Sequence, residues 1–535
     1  MKKIIFVLFS FLFISGYAYS QVSLGWIKKD TNTIGFPSDN CNNDIIVDNN
    51  NNIYTIAHMK GDSTNTVLKI SKLSDNGSLI WDRTRTTGGN IVSFGNFFVK
   101  LLTSNSFAVV YNFNDTNGYS RVGVMIYNFS GFLLYDIYYS SSDFENYDIK
   151  GVCTDKQGNI FATGSVFAQS DSYTYCATVK FDSSGTMKWI KRNDIKSWGN
   201  RICTDSLGNI YICGSSDSAY SNKSYTLTIK YDNNGNLIWK SVFGFANGTT
   251  SGLDIANAIT LDDSLNVIIG GTAFYPSSYV ALIVKYSNDG QRKWNRIYSS
   301  QSGVLEITND SRGNIYASCY SEINTNRVLK YDKYGNLSSD FANSNLSFGT
   351  IKFFKKNFIY ALGTKRISGQ YLLSFAILDT NLNVLNSYEV APDTSSSRQW
   401  GNLSFDNNGC VFISGNYLYE NIMHNVNAFF VIKLKQSLGI INLSNNISEN
   451  FSLFQNYPNP FNPATNIKYQ IANNSFVELK IYSILGKEIT TLVNEKQKPG
   501  TYEVTFDGSG LSSGIYFYRL ITEGFSETRK MILLK

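Results

Sequence analysis

The chain has 535 residues, of which 15% are aromatic and only 16% charged, with 41 glycines against 7 prolines. That length holds more than one domain, and the composition favours many short strands and tight turns over long helices or disorder. A net charge of +6 without a basic run or basic-aromatic interleaving argues against a nucleic-acid partner.

Lys2 and Lys3, an apolar run over residues 4–14 broken only by Ser10, and Ala18-Tyr19-Ser20 before Gln21 read as a signal peptide over residues 1–20. The run is too short to span a bilayer, and no later segment is apolar enough to cross one. No cysteine lies near the cleavage point, so a lipid anchor is not indicated. The mature chain is expected to start near Gln21, soluble, after passing the inner membrane.

Residues 21–440 repeat. A turn of the form Asp-x-x-Gly-Asn followed by β-prone residues stands at Asp155 (DKQGNIF), Asp205 (DSLGNIY) and Asp310 (DSRGNIY). Variants lie at Asp48, Asp262 and Asp406, with degenerate copies near Ser104 and Lys356, so that eight copies recur about every 51 residues. Each copy is followed by a second motif, which reads KLSDNGSLIW from Lys72, KFDSSGTMKW from Lys180, KYDNNGNLIW from Lys230 and KYSNDGQRKW from Lys285. Asn-Gly or Asp-Gly between alternating apolar and polar residues marks a hairpin. One repeat therefore holds four strands, and such units arranged radially make a β-propeller. At the N-terminus Gly25-Trp26-Ile27-Lys28-Lys29 is similar to Trp189-Ile190-Lys191-Arg192, a fourth strand, yet nothing precedes it. The eighth copy lacks its fourth strand after residues 429–435, so the N-terminal strand is expected to complete that blade and seal the ring. The expected fold class is all-β, a propeller of about eight four-stranded blades with seven the alternative, followed by a small immunoglobulin-like sandwich. The run Ile160-Phe161-Ala162-Thr163-Gly164-Ser165 after its Asp-x-x-Gly-Asn turn resembles the bacterial β-propeller repeat family SBBP. That resemblance implies the architecture and no particular activity.

The turn Asp and Asn residues suit turn capping and positive φ rather than a calcium loop, which needs several convergent oxygens. The repeated Trp reads as a blade-to-blade packing residue. Lys72, Lys180, Lys230, Lys285, Lys330 and Lys433 recur at the end of the third strand. Since both turns of a blade share one face, each is expected either to approach a first-turn Asp on that rim or to remain solvated. The opposite face carries the variable loops, such as residues 215–225 and 243–254, and variable loops on a rigid scaffold are where binding concentrates. Beside them the first strands begin with Asp148, Trp198, Asp254 and Trp400, the candidate ligand-binding residues at the channel mouth. An exposed Trp there stacks on a sugar ring; the competing reading is ordinary packing.

Catalytic and metal constellations are not found: His58 and His424 are the two histidines and neither sits in a metal-ligand spacing or a nucleophile motif. The hairpins have some likeness to eight-bladed quinoprotein repeats, but no two cysteines are adjacent, and they miss the sialidase Asp-box spacing. No cofactor and no metal is expected. Seven cysteines (Cys41, Cys153, Cys176, Cys203, Cys213, Cys319 and Cys410) are an odd number. Buried free thiols are the expectation, with a Cys203–Cys213 bridge the alternative.

Residues 441–450, rich in Asn and Ser, read as a linker, and 451–535 as a separate β domain. Val477, Leu479 and Ile481 alternate, as do Tyr502, Val504 and Phe506, and both runs are bounded by Gly or Asn turns. About seven short strands in such a length suit an immunoglobulin-like sandwich. With NYPNPFNPATNIKYQI, VELKIYSILGKEITTLV, GTYEVTFDGSGLSSGIYFYRL and ETRKMILLK, this segment resembles a type IX secretion C-terminal sorting domain of type A. The resemblance implies passage across a Gram-negative outer membrane, by contact with the secretion machinery, to the cell surface or the medium. It carries over Pro458, Asn459, Pro460, Gly486, Gly500, Tyr502, Gly514, Tyr516 and Lys530 as sorting-signal or fold positions. The function expected is an exported binding protein whose ligand is a glycan or a protein, with an exported polysaccharide lyase or hydrolase the alternative.

Overall fold

The computed structural model describes residues 22–30, 44–60, 66–86, 91–103, 105–139, 145–168, 170–217, 223–244, 253–275, 278–298, 302–321, 326–342, 347–354, 358–367, 370–390, 400–406, 410–421, 424–436, 441–444, 451–497 and 499–534. The expected signal peptide, Cys41, the degenerate turns at Ser104 and Lys356, and the middles of loops 215–225 and 243–254 lie outside the described residues. The fold is all-β, and the chain forms two compact units, Val22–Lys435 and one containing Gln436–Lys535.

In the first unit the strands follow one another as antiparallel meanders of four. Blade 1 is Ile45–Val47, Ile53–Lys60, Thr66–Leu73 and Leu79–Thr86; blade 2 is Ile91–Thr103, Ser106–Asp115, Ser120–Asn128 and Leu133–Tyr139. Blade 3 comprises Glu145–Thr154, Ile160–Ala168 and Tyr173–Phe181. Its outer strand is the first half of Met187–Thr204, whose second half is the inner strand of blade 4 with Ile210–Asp217, Ser224–Tyr231 and Leu237–Phe243. That shared strand fuses two blades into one seven-stranded sheet. Blade 5 runs from Ile255–Leu261 to Arg292–Tyr298, blade 6 from Ser302–Asn309 to Leu337–Ala342, and blade 7 from Ser347–Phe354 to Val384–Val390. Blade 8 contains Trp400–Phe405, Val411–Asn421 and His424–Gln436, and its outer strand is the N-terminal Val22–Asp30. Inner strands touch their neighbours in chain order, and the inner strands of blades 8 and 1 touch in turn, which closes a ring among the described residues.

Burial explains why the strands read as they do. The second and third strands are apolar almost throughout, as in Ile160–Ala168, because both of their faces lie between blades. The cores are accordingly interblade: Val110, Val124 and Ile126 of blade 2 pack with Ile149, Ala162 and Val179 of blade 3. Outer strands such as Leu79–Thr86 are largely exposed. The first turns are built around their Asp. Asp155 Oδ1 accepts the Gln157 and Asn159 amides at 3.0 and 2.9 Å, and Oδ2 accepts Asn159 Nδ2 at 2.7 Å. This is the turn-capping role read from the sequence.

The repeated Trp and Lys form a single device between blades. Trp239 Nε1 and Lys230 Nζ both donate to the Asn288 carbonyl in the next blade's second hairpin, at 2.9 and 3.1 Å. Trp81 and Lys72 converge on Phe129 O, Trp189 and Lys180 on Asn233 O, and Trp294 and Lys285 on Lys333 O. Trp26 and Lys433 do the same on Asp75 O, so the N-terminal strand latches blade 8 to blade 1. Beneath each indole lies a hairpin glycine in the left-handed region. Gly290 (φ +88°) has no room for a Cβ, which would stand 2.7 Å from the Trp239 ring.

The lysines are thus not rim decoration. Lys230, Lys285 and Lys433 are buried, and the ammonium groups of Lys230 and Lys433 lie over an aromatic of their own blade, Tyr211 at 5.0 Å and Phe412 at 5.2 Å. Lys285 alone among the described residues makes the expected ion pair with its own first-turn Asp, Asp262, at 2.9 Å. Lys433 pairs instead with Asp75 of the neighbouring second turn, and Lys330 reaches Asn381 Oδ1 at 3.5 Å.

The second unit is two four-stranded antiparallel sheets. One orders Ile441–Ser444, Gly500–Asp507, Ala464–Ile471 and Ser452–Leu453; the other Glu488–Gln497, Ser475–Ser483, Gly514–Thr522 and Phe525–Leu533. Their apolar faces share one core containing Ile467, Tyr469, Leu479, Ile481, Tyr518 and Leu520. Within the expected linker, Ile441–Ser444 pairs with the Gly500–Asp507 strand, while 445–450 lie outside the described residues.

Candidate functional site

The inner strands surround the propeller axis, and six of them carry a bulge at nearly the same place. The register slips between Phe94 and Phe97, Ile149 and Gly151, Gly199 and Arg201, Ala256 and Ala258, Val304 and Glu306, and Phe348 and Thr350. A bulge leaves one residue out of the ladder and re-aims its neighbours. Two of the extra residues are used to join blades: Asn96 donates to Ile149 O and Asn200 to Ala256 O, both at 2.9 Å.

Four residues before each first turn, the eight inner strands place Asp44, Lys100, Gly151, Arg201, Ala258, Glu306, Lys352 and Asn402 in blade order. Lys352 of blade 7 is within electrostatic reach of Asp44 and Lys100 in blades 1 and 2, and Glu306 of blade 6 within reach of Arg201 in blade 4. These blades are not adjacent, so the interactions cross the axis and the side chains converge on it. Glu306 and Lys352 keep some solvent contact while enclosed by protein, as expected for the wall of an interior channel. Enclosure raises the Glu306 carboxyl above the usual carboxylate range, against the pull of Arg201 and Lys352. It lowers the Lys352 ammonium, against Asp44 and Glu306.

Asp44 is fully engaged. Its carboxylate accepts Lys100 Nζ at 3.0 Å, the Val99 and Ile45 amides at 3.1 and 3.0 Å, and Asn402 Nδ2 at 3.3 Å. It therefore ties blades 8, 1 and 2 together at the point of ring closure. Lys352 Nζ donates to Leu403 O at 2.8 Å, and Arg201 Nη1 to Asn200 O at 3.0 Å and Lys150 O at 3.4 Å. Sequence reasoning passed over this ring, although its constant offset from the turn Asp was a usable signal.

The expected ligand-binding residues open the same inner strands on the loop face. Asp148 accepts Asn96 Nδ2 at 3.1 Å and pairs with Lys150 at 2.8 Å, and its carboxylate is about half exposed. Trp198, half-buried, pairs with Ser215 across its hairpin, three residues before Arg201 on the same strand. Asp254 is buried at 2% exposure, and its carboxylate accepts the Phe274 amide at 3.2 Å. Trp400 begins the inner strand of blade 8 opposite Asn416; its side chain lies outside the described residues.

Cys153, Cys176, Cys203, Cys213, Cys319 and Cys410 are all free, so the alternative of a Cys203–Cys213 bridge is not realised. Burial pushes the Cys153, Cys176, Cys213 and Cys319 thiols up to about 12, which removes their nucleophilicity. Among the described residues no group of His, Cys, Asp and Glu is placed to hold a metal, and no helix is long and apolar enough to cross a membrane.

In the C-terminal unit, Pro458 and Pro460 both follow cis peptide bonds. The Pro458 carbonyl accepts Thr465 Oγ1 at 2.7 Å, and Asn459 Oδ1 accepts the Ile532 amide at 2.9 Å, tying the segment to the last strand. Gly486 (φ +75°) turns a hairpin, and Gly500 and Gly514 open strands. Tyr502 is buried and stacks on Tyr469 at 5.5 Å. The Tyr516 hydroxyl donates to Ser512 O at 2.8 Å. Lys530 is exposed on the last strand, and its carbonyl accepts Gln455 Nε2 at 2.9 Å.

Residues 455–534 match the secretion system C-terminal sorting domain family, and residues 192–220 match the β-propeller repeat family. Curated proteins yield no match. Solved structures with similar folds include PorZ, described as an essential bacterial surface component of the type IX secretion system of Porphyromonas gingivalis. It is 11% identical, with a TM-score of 0.39, over 92% of this chain and 70% of that one. The lectin BP39L from Burkholderia pseudomallei is 10% identical over 66% of this chain and 99% of that one, with a TM-score of 0.44. Sqt1 from Chaetomium thermophilum, solved with the N-terminus of ribosomal protein L10, is 10% identical over 77% and 100%, with a TM-score of 0.48. At such identities these likenesses bear on neither ligand nor activity.

Proposed function

We propose that this propeller, delivered by the type IX sorting domain at its C-terminus, is an exported binding protein that holds a glycan or a protein ligand on its loop face. The sorting-domain match over residues 455–534 carries the reading as far as export to the cell surface or the medium. The binding role rests on the geometry of the scaffold. Short, Asp-capped turns occupy one face, and loops of unequal length occupy the other, beside Trp198 and the half-exposed Asp148. The same observations support binding over the exported-enzyme reading. Glycoside hydrolysis needs two carboxyl groups flanking one bond, whereas of the two acidic members of the channel ring the Asp44 carboxylate is engaged by Lys100, two backbone amides and Asn402, which leaves Glu306.

The test is a glycan array probed with residues 22–535, beside a Trp198→Ala variant. Selective binding weakened in the variant supports a carbohydrate site on this face. Silence on the array, with a specific protein recovered by cross-linking on intact cells, moves the ligand to the protein class. Turnover of any bound glycan would overturn the non-enzymatic reading.

A further inference from the structure

The eight axial positions are a place where a fold that merely closes a ring would carry small or apolar side chains, since enclosing a charge is costly unless it is paired. Five of the eight are ionisable here. Asp44 and Lys100 account for each other, because their 3.0 Å pair is supplemented by two backbone amides and Asn402. Arg201, Glu306 and Lys352 remain. Arg201 and Lys352 spend donors on the backbone carbonyls of Lys150, Asn200 and Leu403, which orient the cations without neutralising them. Glu306 is the acidic member of the ring that both cations influence, and Asp44, already paired with Lys100, also reaches Lys352. Two cations against one carboxyl give this side of the channel a positive balance at pH 7.

Space accompanies charge. The ring positions on either side of Arg201 are Gly151 and Ala258, which present at most a methyl group, and Arg201 itself is exposed. The guanidinium still has donors free of the two carbonyls, and its planar fork suits a carboxylate. Trp198 precedes it by three residues on the same strand, toward the loop face.

We propose that Arg201 and Lys352 form an anion-recognition point in the propeller channel that takes the carboxylate of an acidic sugar, a uronic acid residue, with Glu306 accepting a neighbouring hydroxyl. This deepens the glycan form of the binding reading and rests on it. Trp198 supplies the apolar face beside the sugar ring, and the two cations supply selection for charge.

The experiment is calorimetric titration of residues 22–535 with a galacturonate hexamer and with the same hexamer fully methyl-esterified, which removes the charge and keeps the sugar. The acid is expected to bind at least tenfold more tightly than the ester and to weaken several-fold from 50 to 300 mM salt. Arg201→Gln and Lys352→Gln are each expected to cost tenfold or more toward the acid and nothing toward the ester. Glu306→Gln, whose amide oxygen still accepts the hydroxyl while the negative charge beside the bound carboxylate is gone, is expected to bind the acid more tightly at pH 7, and weaker binding would overturn the role given to Glu306. Melting temperatures check folding, and Arg201, being exposed, keeps the test informative if Lys352→Gln destabilises. Equal binding of acid and ester, or acid binding indifferent to Arg201→Gln, overturns this proposal and leaves the glycan reading standing. Binding of neither overturns this proposal, and silence on the glycan array as well overturns the glycan reading it rests on.

Discussion

Trp26→Ala probes ring closure at the joint between blades 8 and 1. The indole is half-buried, donates Nε1 to Asp75 O at 2.9 Å, covers Gly77 with no room for a Cβ, and lies 6.4 Å from the Phe412 ring centroid. Truncating a fully buried Trp costs about 3–5 kcal/mol. Half-burial takes this site toward about 3 kcal/mol, which includes about 1 kcal/mol for the lost hydrogen bond. With about 2.1 cal/mol/K of unfolding entropy per residue over roughly 400 residues, that loss lowers the melting temperature by about 3–4 °C if the propeller unfolds as one unit. Trp239→Ala is the control, because it removes an equivalent latch from a strand that the chain already joins to blade 4. The Trp26 strand is joined to blade 8 by pairing with His424–Gln436 and by packing of Leu24 and Ile27 on its core, rather than by a hairpin from within the blade. Loosening it frays that strand and bares a sheet edge, so the Trp26 variant is expected to lose more than the control and to become sensitive to protease near its N-terminus. Calorimetry and limited proteolysis on both variants decide the matter. An unchanged Trp26→Ala protein, or a larger loss at Trp239, would refute the idea that the N-terminal strand holds the ring shut.

Further tests address the latch, the turns, the thiols and export. Gly290→Ala places a Cβ 2.7 Å from the Trp239 ring at φ +88° and is expected to destabilise by about 2 kcal/mol or more, read by chemical denaturation. The carboxyls of Asp115, Asp182, Asp205 and Asp262 lie below the usual range: burial pushes each up, but the hydrogen bonds and ion pairs they accept outweigh it. Their stabilisation is therefore complete above the unfolded carboxyl pKa near 4 and is lost as pH falls through the folded values. Glu306 and Asp217 shift the opposite way and temper the effect. Thermal unfolding between pH 7 and 2 should show the decline setting in below about pH 4, and a flat profile would contradict the turn-cap account. A thiol reagent at pH 8 should leave the six described cysteines unmodified in the native protein and label them after denaturation. Removing residues 455–534 should leave a folded propeller in the periplasm, and normal export of the truncated chain would sink the address reading.

The sequence by itself determined the repeated unit, because a blade's turns are local chemistry. Asp155 to Asn159 or Asp182 to Thr186 close their own hydrogen bonds within five residues, and Gly at the left-handed position announces each hairpin. The closing role of Gly25 to Lys29 was legible for the same reason, as a fourth strand lacking the three before it. The C-terminal address was legible as a contiguous pattern. What only the tertiary structure decided depends on partners about 50 residues away. Lys72, Lys180, Lys230 and Lys433 looked like rim lysines, yet they reach into the next blade and share a carbonyl with a Trp. Asp254, read as a channel-mouth residue, is enclosed and bonded to Phe274 N. The axial ring was marked in the sequence by its constant offset of four residues before each turn position, but its convergence was not, because its members are single residues on separate strands, six of them bulged. Only the stacking of blades 4, 5 and 6 about one axis sets Arg201 and Glu306 within electrostatic reach of each other.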